Sequence, residues 1–232
     1  MRKLLLSTVT LAAVMCTFID ARAFDVKDKF MVLALGGLGI PVADFADDES
    51  SNNKAGGAKV GFSAGVAAEY GFTEQFLLGT RFAYHRFGVE PILLNDVISP
   101  SGAEARWTVV EFMGLYCKYL VKTGGGTRPY GRTGIFLGKP KLTVEEGTPE
   151  WSGKYDLSLG LEVAMGITQA VADNVQLGLE GRFAHLITNP SQPGTSITAS
   201  HRQTRPVSPA GVRDPGGNID WLAASAYLSY GF

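Results

Sequence analysis

Apolar and polar residues alternate along most of this chain, which is the pattern of β-strands with two unlike faces. In segment 154–168, large apolar residues from Tyr155 to Ile167 alternate with small or polar residues from Asp156 to Thr168. Segment 30–40 is almost wholly apolar, with its glycines at Gly36, Gly37 and Gly39. The pattern predicts eight strands, at 30–40, 59–72, 75–87, 106–120, 129–138, 154–168, 175–186 and 218–232.

The predicted strand at 106–120 has no single consistent register. If Glu111 faces the polar side, strict alternation carries Met113, Leu115 and Cys117 to that side as well. A β-bulge, in which two residues of one strand oppose a single residue of its partner, would resolve this conflict. The pattern alone leaves the register of this strand open.

The connections between the predicted strands alternate in length. Long loops at 43–58, 90–104, 139–153 and 187–217 alternate with short turns at 73–74, 123–127 and 170–173. Transmembrane β-barrels have short periplasmic turns and longer outer loops. Aromatic residues also gather at the strand ends, where two interfacial girdles are expected. The turn-end girdle is predicted to contain Phe30, Tyr70, Phe72, Phe76, Tyr230 and Phe232, and the loop-end girdle Tyr84, Trp107 and Tyr155.

The polar rows of the strands favour a membrane barrel over a soluble sandwich. In a sandwich, the outer row faces water and usually carries many charged residues. Here the second row consists mostly of Gly, Ala and Ser with isolated charges, which suits a narrow interior. We therefore predict an all-β fold, a closed antiparallel transmembrane β-barrel of eight strands in an up-and-down meander.

Charged residues on the polar rows are predicted to point into the lumen. On the lipid face near the bilayer midplane, a charge would cost about 2–4 kcal/mol. The lumen of an eight-stranded barrel is only wide enough to be filled by side chains, so these charges are expected to pair as a salt-bridged plug. A narrow water-filled channel gated by the same ions is the alternative. The predicted network contains Glu69, Arg81, Glu111, Arg132, Glu162, Glu180 and Arg182.

The first 23 residues have the features of a secretory signal peptide. Arg2 and Lys3 precede an apolar run at 4–18, and Ala21-Arg22-Ala23 provides a small-residue cleavage site. The run is too short for a comfortable transmembrane helix. We predict cleavage before Phe24 and a single barrel domain over 24–232.

Composition and cysteine content remove several function classes. The formal net charge of -1 argues against a nucleic-acid partner. Because Cys16 leaves with the signal peptide, Cys117 has no partner for an intrachain disulfide, and it is predicted to be a small buried hydrophobe. His85 and His201 have no neighbours at metal-ligand spacing, so no metal and no cofactor are predicted.

An enzymatic role is a distant alternative. Segment 182–190, which contains His185, faintly resembles the His-x-Ser-Asn stretch of the lipid A deacylase barrels. In that family, a serine two residues after the histidine is the nucleophile. Ile187 occupies this place here, and Thr188 is expected to point to the opposite face. We predict that the protein is not an enzyme.

Four stretches, at 68–73, 128–131, 180–183 and the terminal 227–232, resemble the small OmpA-type and opacity-type outer-membrane barrels, a porin-like family of about eight strands. The resemblance covers 24–232 and implies residence in the outer membrane among its lipids and lipopolysaccharide. It also implies that the barrel-assembly machinery recognises the closing strand through Leu228, Tyr230 and Phe232. No peptidoglycan-binding domain follows the barrel, so a cell-wall tether is not expected.

The expected role is structural, in envelope integrity, or interactive, through the outer loops. Loop 43–58 carries four acidic residues, Asp44, Asp47, Asp48 and Glu49. Loop 187–217 is basic, with Arg202, Arg205 and Arg213. Opposite charge would let these loops dock on each other, let the basic one contact lipopolysaccharide phosphates, or let either contact a surface partner. We expect a monomer.

Overall fold

The computed structural model describes residues 25–46, 57–89, 104–123, 125–145, 150–154, 156–187 and 219–232. The predicted signal peptide and most of loops 43–58, 90–104 and 187–217 therefore lie outside the described residues. One sheet contains the strands β1 (Phe30–Val42), β2 (Gly61–Gly71), β3 (Phe76–Gly88), β4 (Glu104–Leu120), β5 (Thr127–Glu145), β6 (Glu150–Lys154), β7 (Ser158–Ala172), β8 (Val175–Ile187) and β9 (Ile219–Gly231).

The sheet closes on itself as a barrel. Its strand order is β4-β3-β2-β1-β9-β8-β7-β5-β6, and an additional β4–β5 pairing completes the ring. All pairings are antiparallel, and β6 pairs only with the outer part of β5. Eight strands, all except β6, therefore form the barrel wall as an up-and-down meander. The predicted closed eight-stranded antiparallel barrel is confirmed.

The two faces of the wall differ as the alternation predicts. Val66, Leu161 and Leu228 are exposed on the outer face, whereas Glu69 and Arg81 are buried in the interior. Every turn-end aromatic of the predicted girdle is exposed on the outer face. Trp107, predicted for the loop-end girdle, is instead buried inside the barrel mouth. That placement was wrong because Trp107 lies on the inward row of β4, together with Glu111.

Strand β4 contains a bulge that resolves its register. The pairing shifts between Phe112 and Leu115 against β5, and Met113 adopts a left-handed backbone conformation with φ 46°. Glu111 is buried, whereas Met113 and Leu115 are exposed on the outer face. Cys117 is also exposed, so the expectation that it is a buried hydrophobe is wrong. The bulge reverses which positions face the lumen from this point to the end of β4.

The predicted loop 139–153 is wrong. Strand β5 continues to Glu145, and β6 returns beside it with Lys154 opposite Lys141. The predicted strand at 154–168 correspondingly begins at Ser158. Leu142 explains the continuation, because it is buried against the loop-end interior and holds the outer part of β5 in register with β4. This hairpin extends the sheet past the predicted strand end.

Helical structure is minor in the described part of the chain. A 3-10 helix, Ala43–Phe45, follows β1 directly. No helix among the described residues is long and apolar enough to cross a membrane.

Candidate functional site

The inward-facing side chains of the described strands change in character along the barrel axis. An apolar cluster lies at the loop end, and a second apolar cluster lies at the turn end. Charged side chains lie between them, bridging strands that are not neighbours in the sheet. We call six of these the central ion layer: Arg81, Glu111, Arg132, Glu162, Glu180 and Arg182.

Arg81 and Arg182 share two carboxylates at the centre of this layer. Arg81, on β3, pairs with Glu162 on β7, and its Nη2 lies 3.4 Å from Oε2 of Glu111. Arg182 donates from Nη2 to Oε1 of Glu111 at 2.5 Å. Its Nε lies 2.7 Å from Oε2 of Glu162. Because each of these side chains is almost wholly buried, unpaired charge here would be heavily penalised, and the mutual pairing offsets that cost.

Arg132 and Glu180 extend the layer towards the turn end. Arg132 donates from Nη2 to Oε1 of Glu180 at 2.7 Å. Tyr130 donates its hydroxyl to Oε2 of the same carboxylate at 3.0 Å. The Arg132 guanidinium also lies over the ring of Tyr116, 4.4 Å from its centroid. Both oxygens of Glu180 are therefore hydrogen-bonded, and the flat face of Arg132 is covered by an aromatic ring.

A second ion pair lies below the central ion layer and was not foreseen from the sequence. Lys118 Nζ lies 3.2 Å from each oxygen of Glu69, and Tyr116 donates its hydroxyl to Oε1 at 2.9 Å. The Lys118 ammonium also lies 4.3 Å from the ring centroid of Tyr130. Strict alternation from Glu111 assigns Lys118 to the outer face. The bulge turns Lys118 inwards. The sequence signals this bulge only because strict alternation from Glu111 would place apolar residues on the polar side of the strand.

The charges that the described residues place in the interior balance. Lys118 joins the seven charged residues that the sequence assigned to the lumen. The set comprises four carboxylates (Glu69, Glu111, Glu162 and Glu180) and four cations (Arg81, Lys118, Arg132 and Arg182). His85 is buried beside them, with Nε2 2.8 Å from Oε1 of Glu111. With His85 neutral, these eight groups carry no net charge.

The loop-end cluster lies above the ions, at the mouth of the barrel. The 3-10 helix carries Phe45 back over the opening, where its ring contacts Phe87 and Trp107 at centroid distances of 5.3 and 5.9 Å. Phe136 and Trp221 lie below, 5.9 Å apart, and each faces the guanidinium of Arg182. All five rings are buried, so apolar and aromatic atoms separate the central ion layer from the mouth.

The turn-end cluster covers the other side of the ions. Tyr130 and Tyr227 pack edge to face with their centroids 6.4 Å apart. Around them lie the buried side chains of Val26, Met31, Leu77 and Leu120. Val26 precedes β1, so the described segment before the barrel also contributes to this cluster.

Two glycines let these rings lie flat against the wall. A methyl group at Gly160 would fall 2.2 Å from Cζ of Phe136, and one at Gly178 would fall 2.0 Å from Cζ of Tyr227. Real side chains do not approach so closely, so each ring occupies the space that a Cβ atom would need. Glycine on the polar rows therefore makes room for lumen-filling aromatics.

One cavity in the described interior is very small. A cavity of about 10 Å³ lies beside the ions, among Arg81, His85, Arg182 and Tyr227. This is close to the minimum needed for one water molecule. In the described interior, paired charges thus lie between two apolar clusters.

His185 has a carboxylate partner that the sequence reading missed. Its Nδ1 lies 2.5 Å from Oδ1 of Asp220 on β9, and both side chains are partly exposed on the outer face near the loop end. The position that the deacylase pattern assigns to serine is Ile187, which ends β8 and is exposed. An isoleucine side chain has no nucleophilic atom.

The residues of the predicted assembly signal share the outer face of β9. Leu228 and Tyr230 are exposed, and the following Phe232 is 71% exposed. The Tyr230 and Phe232 rings meet edge to face at 5.0 Å. The backbone N–H of Phe232 donates to the carbonyl oxygen of Phe30 at 2.9 Å, which ties the chain end to β1 at the barrel seam.

These features define the class of the protein as a small closed β-barrel with an apolar outer face and an ion-paired interior. The structure of Neisserial surface protein A matches with a TM-score of 0.51 at 17% identity, covering 88% of this chain and 97% of that one. The fold is that of the small outer-membrane β-barrels, as the sequence resemblance implied. At this level of identity, the likeness concerns the fold alone.

Two further solved structures are similar at lower scores. Ail of Yersinia pestis, in complex with the heparin analogue sucrose octasulfate, gives a TM-score of 0.47 at 11% identity, covering 88% of this chain and 99% of that chain. The outer membrane protein OprG from Pseudomonas aeruginosa gives 0.43 at 13% identity, covering 92% and 99%. No family model and no curated protein matches the sequence.

Proposed function

We propose that this protein is an integral outer-membrane barrel with a closed lumen, which acts as a structural or surface-interaction component of the envelope and not as an enzyme. The observation that carries the proposal is the layered interior, in which paired charges lie between two apolar clusters. A conducting pore needs a continuous polar path with groups that bind ions weakly enough to release them. The Phe45 and Trp107 rings at the mouth oppose such a path.

Residence in the outer membrane is supported by the outer surface of the barrel. Its apolar side chains would contact lipid, while the aromatic residues at the turn end would lie at the interface. Export would use the signal peptide at 1–23. Assembly would use Leu228, Tyr230 and Phe232, which the barrel-assembly machinery would recognise on the closing strand. We propose a monomer, since the ring of strands is complete within one chain.

If the lumen is closed, the protein would act through its outer face and its loops. Envelope integrity requires only a stable barrel in contact with outer-membrane lipids and lipopolysaccharide. Surface contact would use the loops at 43–58 and 187–217, which carry opposite charges. Both roles are compatible with a silent pore.

Single-channel conductance tests the proposal. The mature chain, refolded in detergent and added to a planar bilayer, is expected to insert without steady openings. Insertion is checked separately by heat modifiability, since a folded barrel migrates differently in a gel before and after boiling. Steady ion-selective openings that change in Arg81→Gln or Glu162→Gln variants would overturn the closed lumen in favour of a narrow channel. Failure to form a heat-modifiable species in lipid would overturn the membrane placement itself.

A further inference from the structure

His85 is a titratable side chain enclosed in the loop-end half of the lumen. It lies on the inward row of β3, four residues after Arg81, and only 1% of it is exposed. Its ring lies 6.3 Å from the ring of Phe87 and 5.2 Å from that of Trp221, measured between centroids. Both of these rings belong to the loop-end cluster. His85 therefore lies at the boundary between the central ion layer and apolar side chains.

The carboxylate of Glu111 determines where neutral His85 carries its hydrogen. Nε2 of His85 lies 2.8 Å from Oε1 of Glu111. The same oxygen accepts from Nη2 of Arg182 at 2.5 Å, and Nη2 of Arg81 lies 3.4 Å from Oε2. A carboxylate between two guanidinium groups is ionised, so it can only accept hydrogen bonds. Nε2 therefore donates, and Nδ1 of neutral His85 carries no hydrogen.

The three acids of the central ion layer are already paired. Glu111 contacts both central arginines, so a protonated His85 would be a third cation on one carboxylate. Glu162 on β7 pairs with the same two arginines. Glu180 on β8 lines the cavity beside His85, and its two oxygens accept hydrogen bonds from two side chains of β5. A second proton on the His85 ring would therefore give the described lumen a net positive charge.

The remaining strands around His85 present uncharged groups to it. Ser63 lies opposite His85 in the β2–β3 register, and both line the cavity of about 10 Å³. Leu35 of β1 and Ala223 of β9 line the same cavity. Nδ1 of His85 has no hydrogen-bond partner among the described residues. A cavity with room for about one water molecule cannot supply the hydration that a charged ring requires.

We propose that His85 is a pH switch of the lumen, which keeps the central ion layer closed only while its ring is neutral. The proposal rests on the closed lumen of the proposed function. Neutral His85 adds a hydrogen bond to Glu111 and leaves the balance of four carboxylates and four cations unchanged. A proton added at Nδ1 breaks that balance inside the barrel. Acid therefore favours states in which the lumen opens and water reaches the ring.

The direction of the pH effect follows from proton linkage. An unperturbed histidine has a pKa of about 6.5, so the unfolded chain binds a proton at this side chain below that pH. The closed barrel keeps the ring neutral, and the state that binds more protons is favoured as the pH falls. The stability that His85 contributes is therefore fully present above about pH 7 and is lost progressively below about pH 6.5. Between pH 7.5 and pH 5, this one proton should raise the unfolding equilibrium constant about 30-fold.

Urea unfolding of the refolded mature chain in lipid vesicles, at pH 7.5 and at pH 5, tests the switch. His85→Gln keeps an N–H donor for Glu111 but cannot take up a proton. This variant is expected to lack about 30-fold of the wild-type change in the unfolding equilibrium constant. The matched control, His185→Gln, removes a partly exposed histidine that pairs with Asp220 on the outer face, and it is expected to retain that change. Both variants must be heat-modifiable at pH 7.5.

The ¹⁵N resonances of the His85 ring provide a second measurement, which needs no substitution at His85. In the folded wild type at pH 5, the ring is expected to remain neutral with its hydrogen on Nε2. The histidine signals are assigned by comparison with His185→Gln and His201→Gln. This measurement tests the switch even if His85→Gln fails to fold.

Two outcomes would overturn the switch while leaving the closed lumen intact. The first is an equal pH dependence of unfolding in the wild type and in His85→Gln. The second is a protonated His85 ring in a barrel that is still folded at pH 5. Steady channel openings of the wild type at pH 7.5 would instead refute the closed lumen on which the switch rests. A chain that never folds in lipid would refute the membrane placement.

Discussion

Nη2 of Arg182 lies 2.5 Å from Oε1 of Glu111, which joins β8 to β4 across the lumen. The two strands are not neighbours in the sheet, since β5 and β7 separate them along one side. Backbone hydrogen bonds hold each strand to its neighbours only. Cross-lumen pairs of this kind therefore brace the barrel in a direction that the sheet does not.

Arg182→Ala is expected to lower the free energy of unfolding by about 3–5 kcal/mol, because it leaves Glu111 and Glu162 buried with less compensation. Urea unfolding in lipid vesicles measures the change. Lys122→Ala removes one member of an exposed pair, with side chains 72% and 56% exposed, and is expected to change stability by less than about 1 kcal/mol. Equal urea midpoints for the two variants would remove the ion plug as a stabilising element.

Phe45→Ala is expected to loosen the mouth without opening the barrel to ions. Its ring is fully buried against Phe87 and Trp107, so truncation is expected to cost about 3 kcal/mol of unfolding free energy. The central ion layer and the turn-end cluster remain in place below it. The variant should therefore stay silent in a planar bilayer. Phe62→Ala, on the lipid-facing side, is the matched control for loss of a ring. Steady openings in Phe45→Ala alone would locate the closure at the mouth and not in the ions.

Gly160→Ala is expected to destabilise the barrel although it adds only one methyl group. That methyl would overlap the Phe136 ring, and the ring is held between Trp221 and Arg182. Overpacking of this kind costs about 1–3 kcal/mol. At Gly131, an added methyl meets nothing within 4 Å, so Gly131→Ala is expected to be neutral or slightly stabilising. Urea midpoints of the two variants compare them directly, and equal midpoints would mean that the Phe136 ring moves freely.

The bulge at Met113 fixes which later residues of β4 face the lumen. Inserting one alanine between Leu115 and Tyr116 shifts Tyr116 and Lys118 by one position and turns them towards the lipid. A lysine on the lipid face near the midplane costs about 2–4 kcal/mol, and Glu69 would lose its cation in the lumen. Met113→Gly keeps the bulge and suits the left-handed backbone, so it is expected to fold normally. Comparable heat-modifiable yields for the insertion and the substitution would show that β4 absorbs the extra residue without turning Lys118 outwards.

The alternation of unlike rows was enough to predict the wall of this barrel, because each strand obeys a period of two and a wrong register would place charge in lipid. The two-residue alternation does not predict which side chains face inwards beyond a bulge or outside the strands. It left the register of β4 open and so did not assign Lys118 to the lumen, because the conflict around Glu111 indicates a bulge without showing which residue is the extra one. It also could not place Phe45, whose burial depends on a turn that brings it over Phe87 and Trp107 from another strand. The β5–β6 hairpin was missed because strand pairing beyond the predicted strand end depends on Leu142, whose burial is a tertiary contact.

Deleting Phe232 is expected to impair assembly and leave secretion intact. Its side chain is 71% exposed and contacts only Tyr230 among the described aromatic rings, so its loss removes little beyond that contact and the backbone hydrogen bond to Phe30. The refolded truncated protein should therefore have a urea midpoint close to the wild type. In cells, we expect it to reach the periplasm with its signal peptide removed, yet to accumulate poorly in the outer membrane. Fractionation with heat-modifiability gels measures both steps.

Phe72→Ala is the matched control, since Phe72 is also an exposed turn-end aromatic but lies away from the closing strand. Normal outer-membrane levels of the truncated protein would count against recognition of the terminal residue, whereas an equal defect in Phe72→Ala would assign the effect to the aromatic girdle as a whole.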